Sequence, residues 1–98
     1  MPPRPTSQIG TTAEQDVLIK RSEALLKLRD VASARLLLER AVADGNRKAA
    51  YLLAQTYDPR VLEAWQVRGI GGDLEKAKDL YERARPLSSQ PRLEVRSR

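Results

Sequence analysis

Apolar residues recur at three- and four-residue intervals along most of this chain, and short polar or glycine-bearing clusters divide that rhythm into segments. Leu18, Ser22 and Leu25 share one face at helical spacing, with Ile19 and Leu26 beside them. A stripe that wide predicts a helix with neighbours on two sides, running from about Thr12 to about Leu28. Thr12 with Gln15, or Thr11 with Glu14, offers a capping box at its start. Arg29-Asp30 then breaks the pattern, and the Asp30 carboxylate can accept from the free amides of a second helix over about 31–43. Val31, Ala34, Leu38, Ala41 and Val42 share a face there; Leu37 widens it and Leu36 falls off it. The run of leucines predicts a helix covered on more than one side.

Asp44-Gly45-Asn46 is the clearest punctuation. Gly45 can take the left-handed conformation that ends a helix, and Asn46 can cap the next one, over about 47–57, whose Ala50, Leu53, Ala54 and Tyr57 face the core. Asp58 before Pro59 is a second start signal, predicting a short helix over about 59–66 that groups Val61, Leu62 and Trp65. Gly69, Gly71 and Gly72 form a loop. Asp73 caps a last helix over about 74–85, with Leu74, Ala77, Tyr81 and Ala84 inward, Leu80 beside them, and Glu75–Lys78, Lys78–Glu82 and Asp79–Arg83 pairs outside. Pro86 ends it. The expected organisation is a flexible Pro-rich arm over 1–11, a helical domain over 12–85, and a flexible basic tail over 86–98.

Two of these segments are alike. D-V-A-S-A-R-L-L-L-E-R-A and D-L-E-K-A-K-D-L-Y-E-R-A both open on aspartate (Asp30, Asp73) and place a small, a large and a small residue in the same order: Ala34, Leu38, Ala41 and Ala77, Tyr81, Ala84. Such self-similarity marks a repeat protein, with repeat one at about 15–48 and repeat two at about 49–85. Helical repeats normally present a surface to a partner.

Composition narrows the chemistry. The 98 residues contain no cysteine and no histidine, which removes disulfides, thiolate metal sites and the commonest general base. The net charge is +5, but Arg4, Arg92, Arg96 and Arg98 lie in the terminal segments and most other basic residues alternate with acids along helices. That placement favours a solvated mixed-charge surface over a basic patch for nucleic acid. No run approaches the about 18 apolar residues of a membrane span, and the first residues lack the apolar stretch of a signal peptide. The chain as given is expected in the cytoplasm, with no membrane association.

At these residues the chain resembles a known family. L-K-L-R-D-V-A-S-A-R-L-L-L-E-R-A is similar to the turn and second helix of a tetratricopeptide repeat, whose first-helix positions fall on Leu25, Ser22 and Leu18. The family usually has glycine where Arg29 stands and a large apolar residue where Arg21 stands. The second unit looks more like the Sel-like subclass: Ala50, Leu53, Ala54, Tyr57, a long connection, then Gly69, Gly72, Asp73, Ala77, Tyr81 and Ala84. Tyr57 and Asp73 lie sixteen residues apart, against about five in an ordinary unit. The resemblance covers about 15–85. It implies an all-α fold of two antiparallel helix pairs stacked as a short right-handed α-solenoid, with a short helix in an insertion. It also implies protein or peptide binding, with no cofactor and no catalysis. A four-helix bundle is the alternative fold.

The candidate partner-binding residues are Lys20, Arg21, Lys27, Arg47 and Lys48 on the first-helix segments, which could grip carboxylates, with Tyr51 in the groove and Trp65 as an anchor. Each has a plainer reading: the basic residues as a solvated face, Tyr51 as a surface tyrosine, Trp65 as a plug over the open end of the stack. G-I-G-G at 69–72 is not a phosphate loop, because no predicted strand precedes it and no Gly-Lys-Ser/Thr follows. Nothing sets two carboxylates in an apolar pocket as acid and base, so no catalytic or metal residue is assigned. The expected function is therefore a non-enzymatic adaptor, chaperone or regulator. Alternatives are a homodimer that serves assembly and a weak nucleic-acid binder acting through the terminal arginines.

Overall fold

The computed structural model describes residues 12–85. The expected Pro-rich arm, the basic tail and the Thr11 cap lie outside the described residues. Those described form five helices and no strand: α1 (Thr12–Lys27), α2 (Val31–Ala43), α3 (Arg47–Tyr57), α4 (Pro59–Ala64) and α5 (Leu74–Ala84). The chain is all-α as expected. α1 packs on α2, α2 on α3, and α3 on both α4 and α5.

Side-chain capping sets the helix starts. Asp30 accepts from the Ser33 amide, Asn46 from Ala49, Asp58 from Arg60 and Asp73 from Lys76. Each satisfies an amide that the first helical turn leaves free. Three of the helix ends share one device. Asp30 N–H donates to Leu25 and Arg29 N–H to Leu26; Asn46 and Gly45 repeat this toward Ala41 and Val42, and Val67 and Gln66 toward Leu62 and Glu63. These are Schellman turns, which require a left-handed residue at their second-last position. Gly45 supplies it with φ 86°, whereas Arg29 (φ 65°) and Gln66 (φ 59°) adopt it despite their Cβ atoms. That conformation disfavours a side chain by about 1–2 kcal/mol.

The core runs through the middle of the sequence of packed helices. Leu38, Ala34, Ala41 and Val31 of α2 are buried against Leu53, Ala49 and Ala54 of α3, Ile19 and Leu26 of α1, and Leu80 of α5. Alanines at the contact positions of α2 and α3 allow close approach of the two backbones. Ser22 is also buried, and its hydroxyl donates back to the Leu18 carbonyl at 2.7 Å, so that hydroxyl is not stranded.

Several expected faces turn out displaced. In α1 the buried line is Ile19, Ser22 and Leu26, with Leu18 and Leu25 only half-buried, so the face is rotated by one residue from the expected one. Leu36 is 70 % exposed, so α2 is covered over its inner faces but not around its girth. Leu74, expected in the core, is 41 % exposed at the first position of α5. Leu80 takes the buried place, while Tyr81 and Ala84 are half-buried. Outside α5, Asp79 pairs with Arg83 at 3.4 Å, and Glu82 is engaged by Arg85 at 3.1 Å.

Candidate functional site

The surface that gathers most of the candidate residues lies where α1 meets α3. Lys20, Glu23 and Lys27 recur at helical spacing along one side of α1, and Arg47, Lys48 and Tyr51 along one side of α3. Two side-chain contacts join the helices there. Asn46 Nδ2 donates to Gln15 Oε1 at 2.7 Å, and Lys48 Nζ lies 3.6 Å from a Glu23 carboxylate oxygen. The ion pair is solvent-exposed and contributes little to stability. Lys20, Lys27, Arg47 and Lys48 are all exposed. Arg21 is exposed too, but helical spacing places it with Val17 and Leu28 on the side of α1 away from Glu23. It therefore does not join the group.

Tyr51 is 49 % exposed, and its ring centroid lies 5.7 Å from that of Tyr81, tilted by 57°. The two rings carry the α3 surface across to α5. Trp65 stands elsewhere. It ends α4, is half-buried against the core, and carries the Arg29 guanidinium 5.9 Å from its ring centroid.

Behind Tyr81 is a polar knot that sequence reasoning did not find. Asp58 is 2 % exposed and closes α3 while it opens α4. One carboxylate oxygen accepts from the Arg60 amide at 3.0 Å and from Arg60 Nε at 3.1 Å. The other accepts from Arg60 Nη2 at 3.0 Å and from the Tyr81 hydroxyl at 2.9 Å. The Arg60 side chain, foremost, holds the Asp58 carboxyl down at about 2, against the opposing effect of burial. Burial, and then donation to a carboxylate, push the Tyr81 phenol up to about 12. Both groups therefore keep one charge state across the physiological range, which suits a structural strut and not an acid–base pair.

A second missed group is Arg35. From α2 it donates to the Thr56 carbonyl and, at 2.9 Å, to the Gly71 carbonyl. Its guanidinium lies 3.9 Å from the centroid of the Tyr57 ring, and Lys76 Nζ lies 4.6 Å from that same centroid. A cation at the last carbonyls of α3 is favourable to the helix dipole. The only sequence signal was a lone arginine on the inner margin of an apolar stripe.

Among the described residues no group of three or more Asp or Glu side chains is placed to hold a metal ion, and no helix is long and apolar enough to cross a membrane. No protein-family model, no curated protein and no solved structure matches this chain.

Proposed function

We propose that this chain is a non-enzymatic binding module of tetratricopeptide or Sel-like type, a short right-handed stack of two antiparallel helix pairs that receives a protein or peptide segment across α1 and α3. The observation that carries the reading is the joined α1–α3 surface. Lys48 of α3 pairs with Glu23 of α1, Lys20 and Lys27 flank Glu23 at helical spacing, and Arg47 and the half-exposed Tyr51 share the Lys48 side of α3. Tyrosine offers contact area at low conformational cost, and flexible cations around it suit a partner with carboxylates. The support for the repeat assignment is the duplicated alanine–large–alanine pattern, whose first copy (Ala34, Leu38, Ala41) is buried and whose second has Ala77 buried with Tyr81 and Ala84 half-buried.

The test is a nuclease-treated pull-down from source-cell lysate at low and moderate salt. Wild type is run beside Tyr51→Ala and the Lys20→Glu, Lys27→Glu double variant, with helicity checked by circular dichroism. A protein retained by wild type at both salts and lost by both folded variants is the expected result. Retention unchanged in the variants, or capture only of acidic material released at moderate salt, overturns the assignment of this face.

A further inference from the structure

The residues between α3 and α5 form a lobe that is held at its base and at its tip in different ways. At the base, the Asp73 amide donates to the Tyr57 carbonyl at 2.7 Å. Gly72 lies so close that a Cβ there would stand 3.1 Å from both the Tyr57 carbonyl oxygen and Pro59 Cγ. Asp58 and Arg35 reinforce the same end through Tyr81 and the Gly71 carbonyl. At the tip, Arg29 of the α1–α2 turn donates through Nε to the Trp65 carbonyl at 3.0 Å and covers the indole. The residues on both sides of that contact, Arg29 and Gln66, are the two non-glycine residues with left-handed backbone among those described. Strain of this kind persists only where surroundings hold it, and it gathers at segments that switch. The lobe between docks through the buried Leu62 and through Trp65, Val67 and Ile70, which pack against the core. α4 has 6 residues, too few to be stable as an isolated helix. An open cleft of about 600 Å³, lined by Leu62, Val67, Arg68 and Ile70, separates α4 from the loop that follows it.

We propose that residues 59–70 are a hinged strap, latched at its tip by Arg29 and opening as a unit about the base formed by Tyr57, Asp58 and Gly71–Asp73 while α1, α2, α3 and α5 stay packed. Opening withdraws Leu62 and Trp65 from the core and releases Arg29 Nε from the Trp65 carbonyl, while Arg29 Nη1 stays on the Leu26 carbonyl at 2.9 Å. An indole and a cation then become accessible together, at a place distinct from the α1–α3 surface. Gln66 keeps its left-handed turn during opening, because the bonds that define that turn, from its amide to Glu63 and from the Val67 amide to Leu62, lie within the lobe.

The experiment is hydrogen exchange read by mass spectrometry on the full chain, with the fluorescence of Trp65, the one tryptophan. Wild type is compared with Arg29→Gly and Arg29→Ala. The glycine variant removes the latch and also relaxes the left-handed turn, so a folded stack is expected even where the alanine variant is weakened. In Arg29→Gly, amides of 61–69 should exchange at least about tenfold faster, while those of α2 and α3 stay within about twofold of wild type. Trp65 emission should move to the red and become more quenchable by acrylamide. Unchanged exchange over 61–69 overturns the latch. Equal acceleration in every helix overturns the independent strap, because the lobe then opens only with the whole domain.

Discussion

Asp58 joins the end of α3, the start of α4 and the Tyr81 hydroxyl of α5, and its charge is what Arg60 and Tyr81 recognise. Asp58→Asn removes the charge and keeps a cap that can still accept. Its folded-state pKa, about 2, lies below the ordinary 3.8. Folding therefore favours the ionised form. The stabilisation is complete above about pH 5, declines as the pH falls through the unfolded-state value, and is gone near the folded-state value and below. A drop from 3.8 to about 2 corresponds to at most about 2.5 kcal/mol. The Arg60 side chain is 78 % exposed, so solvent screening reduces this to about 1 kcal/mol. For a domain of this size that is a melting-point difference of about 4–8 °C. Urea unfolding of wild type and Asp58→Asn, followed by far-UV circular dichroism, should show a gap of about 1 kcal/mol at neutral pH that closes toward about pH 2. A gap that is absent at neutral pH, or equally wide at both ends, refutes a charge-based role for the carboxylate.

Three further outcomes are expected. Leu38→Asp places a carboxylate at the fully buried centre of α2 and should lose about 4 kcal/mol or more, visible as a collapsed or absent helical melting transition; an unchanged melt would falsify the core assignment. Gly72→Ala should cost about 1–3 kcal/mol in urea unfolding, since its Cβ meets backbone and a proline ring at 3.1 Å. In an alkaline ultraviolet titration, one of the 3 tyrosines should ionise late, near 12; since folding raises the Tyr81 value above its ordinary 10.0, the stability it lends is whole below about pH 10 and fades as the pH passes through 12.

Helix limits were readable because they depend on local chemistry. Asp30, Asn46, Asp58 and Asp73 each cap the helix that the sequence assigns to them, and Gly45 takes its left-handed turn. The side each helix turns inward was less readable. α1 meets α2 along its length and reaches α3 through Gln15 and Glu23, so its apolar stripe is broad and its centre was placed one residue away, on Leu18 and Leu25 instead of Ile19 and Leu26. Leu74 looked internal by periodicity, but the first residue of α5 projects past its neighbours. Polar contacts across long sequence separations left no periodic trace. Nothing in the local string around Arg35 announces a carbonyl of Gly71, and Tyr81 reads as an apolar position until its hydroxyl meets Asp58. At the candidate surface, the separation of Arg21 from Glu23 follows from helical spacing alone, whereas the Glu23–Lys48 and Gln15–Asn46 contacts depend on how α1 and α3 lie together, which periodicity does not record.

The bond between the Tyr57 carbonyl and the Asp73 amide also bears on how this chain can vary. Two residues sixteen positions apart in sequence are already in register, as if joined by a tight turn. Whatever lies between them is entropically inexpensive to lengthen, because closing a loop of twice the size adds only about 0.6 kcal/mol. The same junction is therefore a natural graft point. A foreign loop or tag inserted at the exposed tip meets ends that are already adjacent, whereas replacing all of 59–71 would also remove Leu62 from the core and the Gly71 carbonyl from Arg35.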